Sequence, residues 1–292
     1  MTSATETELR TQPDCWQRAA ALADQHRDLL PRAGESVLVV GCGTSWFMAA
    51  AYAALRERSG QGVTDAATAT EISPARSYDR VIALSRSGTT TEIISVLQAT
   101  STPSTLLTAV GDGPAAVHAD AEIVLDFADE TSVVQTRFAS SALTLLRASL
   151  GEDVTAAIAD ARTVLETEPA PELVEAEQLT FLGTGWTQGL ADEAALKMRE
   201  ASQSWTESYF AMEYRHGPIA IAEPGRATYV FGEAPAGLEQ QVAATGAAWI
   251  ATDLDPLAQL VAVHLGAVRR AERRGLDPDR PRHLTRAVHL DA

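Results

Sequence analysis

Between Ser85 and Thr91 the chain sets five hydroxyl side chains, Ser85, Ser87, Thr89, Thr90 and Thr91, around Gly88, directly after an apolar run and at the opening of a helical pattern. Hydroxyls and the free N–H groups of a helix start converge in such a segment. That chemistry suits phosphate or a similar anion and needs no lysine. Arg86 either adds a charged fork to it or faces solvent. The same residues also read as a capped turn, with the hydroxyls satisfying the helix start. A second turn of this kind, GCGTS from Gly41 to Ser45, again lies between a strand pattern and a helix pattern. Its glycines let a ligand approach the backbone, and Thr44 and Ser45 can donate to it. A tight turn around a buried Cys42 explains the segment equally well. The spacing is not G-x-G-x-x-G, so a dinucleotide fingerprint is excluded.

Two further groups have the types that proton transfer needs. Glu193, Lys197 and Glu200 follow one another at offsets of four and seven, which stacks them on one face of a helix. A solvent-exposed Glu–Lys–Glu ladder is the plain alternative. Against it, Leu190, Ala194, Leu196 and Met198 leave no strongly polar opposite face, so the helix reads as largely buried and its charges as partnered. His216 precedes Gly217-Pro218 in EYRHGPIAI, hence in a turn that can project its ring. Histidine alone has an unperturbed pKa suited to giving and taking protons near neutrality, although a lone loop histidine is usually only surface.

These residues must be positioned by elements, and the pattern of elements is legible. Val37–Val40 and Val81–Leu84 are short buried-strand runs, each followed by a hydroxyl-rich turn and a helix; STLLTAV and AEIVLDF repeat the pattern more weakly. Strands alternating with helices predict a parallel sheet with helices on both faces. The reading places a helix over 14–30, a long helix over 132–148 continued helically by GEDVTAAIADARTVLETEPAPE, and a break at Pro169 and Pro171. After the break the grammar restarts: QLTFLGTGWTQGLADEAAL echoes LVVGCGTSWFMAAAYAAL about 143 residues earlier. ATYVFG and GAAWIAT are further strand candidates, and PLAQLVAVHLGAVRRAERRG is a final helix before a short tail. The expectation is an N-terminal helix in 1–34, a first lobe in 35–168 and a second, shortened lobe in 169–292.

Composition narrows the partners. The 292 residues carry a net charge of −16, which disfavours nucleic acid and anionic membrane surfaces, since no basic patch compensates. No segment approaches the roughly 18 apolar residues of a membrane span, and no secretory signal opens the chain. Two cysteines without ligand spacing suit a reducing cytoplasm and exclude a disulfide framework or a cysteine-held metal.

In order along the chain, GCGTS, SRSGTTTE, EAALKMRE, RHGPIAI and RPRHLTRAV together resemble the sugar isomerase (SIS) family. The likeness is strongest to the isomerase half of glucosamine-6-phosphate synthase and to its amino-sugar phosphate deaminase and deglycase relatives. It covers nearly the whole chain after residue 35. The resemblance implies two SIS lobes, each a parallel sheet between helices in a flavodoxin-like three-layer α/β sandwich, and a cytoplasmic homodimer with shared active sites. It implies a sugar phosphate as ligand, with Ser85, Arg86, Ser87 and Thr90 on the phosphate and Thr44 and Ser45 at the first sugar-binding turn. DETSVVQTRFA matches a third ligand segment, which brings in Val133 and Gln135. Glu200 matches the base that moves a proton between C1 and C2, Glu193 and Lys197 its supports, and His216 the ring-opening histidine, which the neighbouring subunit supplies in the family.

Aldose–ketose exchange needs a ring-opening proton transfer and one base, which a histidine and a glutamate provide without metal or cofactor. Lys197 can steady a developing oxyanion. The family's imine-forming lysine corresponds to Arg286, which stays protonated and forms no imine. No glutaminase precedes the first lobe, so ammonia release from glutamine is not expected. The second lobe is short by one strand before the final helix. An amino-sugar phosphate deaminase or deglycase is the alternative activity. A non-catalytic sugar-phosphate sensor is the other, disfavoured by the presence of Glu200 and His216 and by the lack of a helix-turn-helix or basic face.

Overall fold

The apolar runs become interior strands because parallel strands covered on both faces carry near-continuous hydrophobic sequence. The computed structural model describes residues 2–290; Met1, Asp291 and Ala292, included in the domain ranges above, lie outside them. Helices α1 (Ala4–Leu9) and α2 (Gln12–Gln25) lead into β1 (Val37–Gly41), α3 (Thr44–Arg58), β2 (Thr64–Thr68), β3 (Arg80–Leu84), α4 (Thr91–Ala99), β4 (Ser104–Thr108), β5 (Ala121–Val124) and α5 (Arg137–Ser149). There follow α6 (Thr155–Leu165), α7 (Pro171–Glu175), β6 (Gln178–Gly183), α8 (Thr187–Ser202), β7 (Thr206–Phe210), β8 (Arg226–Val230), α9 (Leu238–Ala243), β9 (Ala248–Ile250) and α10 (Pro256–Arg273).

The described chain forms two compact units, each built on one all-parallel sheet, as the α/β expectation requires. The first sheet has the order β2-β1-β3-β4-β5, the flavodoxin-like order, and belongs to the unit of Asp14–Thr131, Gln135–Val154 and the tail from Thr285. Leu38 and Val40 of β1, Val81 and Ala83 of β3 and Leu106 of β4 pack with Ile93 and Leu97 of α4. The second sheet, β7-β6-β8-β9, belongs to the unit of the chain to Pro13, Ser132–Val134 and Thr155–Leu284. It has four strands against the five of the first sheet. In this unit α10 starts well: Pro256 sits at its first turn and Asp255 caps it, accepting from Leu257 N at 2.8 Å. Its buried stripe of Leu257, Leu260, Val261, Leu265 and Val268 contributes about 1.5–3 kcal/mol per side chain. Among the described residues no helix is long and apolar enough to cross a membrane.

Three details correct the sequence reading. The helix read over 132–148 begins only at Arg137, because Glu130 reaches back to cap its N-terminus. The helical continuation is broken at Gly151 (φ +85°), so α6 is a separate helix. Pro171 opens α7 at its first turn, where a missing N–H costs nothing. Of the four edge strands β2 and β7 had no reading at all, nor had the helix α1.

Candidate functional site

The order 2-1-3-4-5 puts a topological switch point between β1 and β3, where open α/β sheets bind ligands beyond the carboxyl ends of the strands. Both hydroxyl-rich turns lie at those ends. At β1 the chain turns so tightly that a Cβ on Gly41 would stand 2.5 Å from the Ser45 backbone. Thr44 and Ser45 open α3 and are buried. At β3, Gly88 takes φ +64° to turn the loop into α4. Ser87 Oγ accepts from Thr89 N (3.2 Å) and contacts Thr89 Oγ1 (2.9 Å). Thr90 is the N-cap of α4 yet makes no side-chain capping bond, so its hydroxyl is not taken up by the helix. Ser85 is 4% exposed, and its Oγ has no hydrogen-bond partner in the structure. A buried hydroxyl of that kind, in the loop that leads into a helix start, is a donor that the fold itself does not use.

Arg86 does not face solvent. Its side chain is 3% exposed, donates through Nη2 to the Arg286 carbonyl (2.7 Å) and stands 3.8 Å from Glu130 Oε2. Glu130, which sequence reasoning missed, accepts from Thr136 N (2.6 Å), Thr136 Oγ1 (2.8 Å) and Arg137 N (2.9 Å). Burial holds its carboxyl above the usual range, against the pull of Arg86 and of those N–H groups. Arg286 in turn donates through Nε to the Glu130 carbonyl (2.9 Å) and pairs with Asp129. Arg86 and Arg286 thus tie the loop, the α5 start and the tail together. Gln135, just before α5, has a buried Oε1 without a partner. Val133, two residues earlier, is half-buried and falls in the other unit.

In the four-stranded unit, α8 brings Glu193, Lys197 and Glu200 together as their spacing requires. Lys197 Nζ lies 3.6 Å from Glu193 Oε1 and is hydrogen-bonded to Glu200. The side chains of Glu193 and Lys197 are 1% exposed and that of Glu200 is 18% exposed, so the last alone meets solvent. A fourth group was not foreseen: His264 of α10, fully buried, has Nε2 at 4.0 Å from Glu193 Oε1. Burial, assisted by the Lys197 charge, pushes its imidazole down to about 3, so it is neutral near pH 7. His216 ends a 3-10 turn (Glu213–His216) before Gly217 (φ +140°) and is exposed; no hydrogen bond or ion pair joins it to the α8 array.

The internal repeat is real in geometry. A Cβ on Gly183 would stand 2.4 Å from the Thr187 backbone, as at Gly41, and Gly185 (φ +59°) repeats Gly43 (φ +54°). The chemistry does not repeat. Thr187 Oγ1 accepts from Thr184 N (2.8 Å) and reaches the Phe231 carbonyl (3.0 Å), and Gly232 N donates to Gln259 Oε1 (2.9 Å). Two donors at the β6/β8 switch point, Thr184 N and Gly232 N, are thus taken up within the unit, and Glu233 follows in place of a hydroxyl run.

No family model matches the chain. The isomerizing glutamine–fructose-6-phosphate aminotransferase of Aeropyrum pernix is 32% identical to it over 42% of this chain and 25% of that protein. The chain spans about a quarter of the length of that and similar curated relatives. Among solved structures, glucosamine-6-phosphate deaminase from Thermotoga maritima superposes with a TM-score of 0.81 at 24% identity, covering 99% of this chain and 100% of that one. Tagatose-6-phosphate ketose/aldose isomerase from Escherichia coli does so with a TM-score of 0.75 at 18% identity, covering 95% of each. The structures establish the fold, and the aminotransferase establishes relatedness in sequence. Two parallel sheets with helices on both faces give the chain the fold of these sugar-phosphate isomerase and deaminase structures, and in sequence it resembles the isomerizing aminotransferases over part of its length.

Proposed function

We propose that the chain is an enzyme that interconverts the aldose and ketose forms of an anionic hexose or amino-hexose, its anion a 6-phosphate. The observation that carries this reading is the α8 array, in which two buried charges hold a third, Glu200, at the surface. A merely structural ladder would expose all three.

In the proposed reaction Ser85, Ser87, Thr90 and the first-turn N–H groups of α4 hold the anion. Thr44, Ser45 and Gln135 take sugar hydroxyls. Arg86 and Arg286 keep the loop in shape through Glu130 and the tail. His216 opens the ring by passing a proton from the anomeric hydroxyl to the ring oxygen. The Glu200 carboxylate then removes the C2 proton of the open aldose while O1 gains a proton, giving a cis-enediol. Glu200 returns its proton to C1 as O2 loses one, which leaves the ketose. Lys197, buried between two carboxylates, acts on Glu200 and not on the sugar. The reading includes a cytoplasmic homodimer, which sedimentation of the purified chain tests.

A second reading, an amino-sugar phosphate deaminase, is favoured by the end-to-end match to the Thermotoga deaminase. It uses the same ring opening and proton abstraction but expels ammonia. Incubation with a panel of hexose and amino-hexose 6-phosphates separates the two. Ketose without ammonia from at least one sugar is the expected outcome; ammonia release assigns the second reading, and no product from any sugar refutes both.

A further inference from the structure

Behind the α8 array stand two residues that belong to none of the sequence motifs. Gln12, fully buried at the start of α2, donates through Nε2 to the Leu9 carbonyl (3.1 Å), and the same nitrogen faces His264 Nδ1 at 3.4 Å. A ring nitrogen that receives an N–H presents a lone pair, so the imidazole proton sits on Nε2. That nitrogen is the one directed at Glu193, 4.0 Å away. The separation exceeds a hydrogen bond, so what Glu193 receives is an oriented N–H dipole in a site with little solvent to screen it.

Resting on the reading of Glu200 as the base, we propose that the Gln12–His264 pair is a positioning device for that base. Gln12 fixes the tautomer of His264, His264 fixes the Glu193 carboxylate, Glu193 fixes the Lys197 ammonium, and Lys197 holds Glu200. The links span 3.4, 4.0 and 3.6 Å and then a hydrogen bond, run through groups that are nearly or fully buried, and end on the one carboxylate of the array that meets solvent. A histidine that served only to fill the core has a cheaper substitute. The α10 position lies among Leu260, Val261, Val263, Leu265 and Val268, where an apolar side chain packs without desolvating an imidazole. Burial and the Lys197 charge keep His264 neutral, pushed down to about 3, and the Glu193 carboxylate faces its Nε2 at 4.0 Å.

The test uses three substitutions in the full chain, with steady-state rates on whichever sugar phosphate the panel identifies. His264→Gln keeps an N–H near the Nε2 position; His264→Asn and His264→Phe do not. The expected result is a kcat about tenfold lower for the Asn and Phe variants, with KM held within about twofold and the Gln variant within about threefold of wild type. Equal loss in all three, tracking their melting temperatures, or full kcat in His264→Phe overturns the proposal. Glu200→Gln run alongside keeps the two ideas apart: if it retains full rate, the base assignment fails, whereas its loss with an unaffected His264→Phe defeats the positioning role only. A readout that needs no substrate is the ring-nitrogen NMR spectrum of His264. A neutral ring protonated at Nε2 between pH 5 and 8, and a mixture of tautomers in Gln12→Leu, are expected. A proton found on Nδ1 in the wild-type protein overturns the proposal whatever the activity shows.

Discussion

Ser85 is where the proposed anion site is most open to test, since its buried Oγ has no hydrogen-bond partner. Burying a hydroxyl without a partner is unfavourable for the fold, so removing it should not weaken the protein. In Ser85→Ala the melting temperature is expected to hold or rise, while affinity for inorganic phosphate drops about tenfold or more, the worth of one hydrogen bond to a charged group. A lower melting temperature with unchanged phosphate affinity would contradict the assignment. The buried network also sets an acid response. His264 lies below its ordinary value of 6.5, at about 3, so in this interval the unfolded chain binds a proton that the folded one does not. Its contribution is present above about pH 6.5 and lost as pH falls towards 3, with a slope of up to about 1.4 kcal/mol per pH unit. Glu6, held at about 2 by its hydrogen bond to Arg269, adds stability above 4.5 that is lost as pH falls towards 2. Denaturant titrations across pH should show stability decreasing from near pH 6.5 downward, with His264→Phe flattening the upper part and Glu6→Gln the lower. The α8 triad was legible because its spacing alone fixes a shared face. His264 was not, because a lone histidine in an apolar helix looks like core, and its partner Gln12 is 252 positions away in sequence. Glu130 was hidden for a similar reason: nothing local shows that an acid six residues upstream caps α5 or that Arg86 turns inward to meet it.

Strands and helices follow a different logic of legibility. Interior strands such as β1 and β3 announce themselves because both faces are buried, so nearly every position, all but Arg80 at the start of β3, is non-polar. Two of the four edge strands do not: β2 reads TDAAT and β7 reads TESYF, each only partly buried, and each takes its place from backbone pairing with β1 or β6. Element boundaries failed where a side chain from outside the element decided them, as at the start of α5. The strand-to-helix junctions make a prediction that treats the two units alike. Gly41→Ala and Gly183→Ala should each destabilise by about 3 kcal/mol, since the added carbon meets backbone at 2.5 and 2.4 Å and the junction cannot yield cheaply. Calorimetric melting of the two variants checks it. A loss below about 1 kcal/mol in either would mean that the junction is softer than its geometry states.

Across the whole molecule, a chain of net charge −16 repels a small anion on average, so binding must come from local donors. The structure supplies them unequally. The β1/β3 switch point keeps a partnerless buried hydroxyl, whereas Thr187 and Gln259 occupy the donors at β6/β8. A repeat visible in sequence therefore duplicates a fold without duplicating a site. The central claim concerns Glu200, and proton NMR in deuterated water with the panel of hexose and amino-hexose 6-phosphates tests it most directly. The wild-type protein should wash deuterium into C1 or C2 as ketose forms, and Glu200→Gln should slow this by about 10²–10⁴-fold while still binding the sugar. Binding without exchange in the wild type, or undiminished exchange in the variant, would contradict the account.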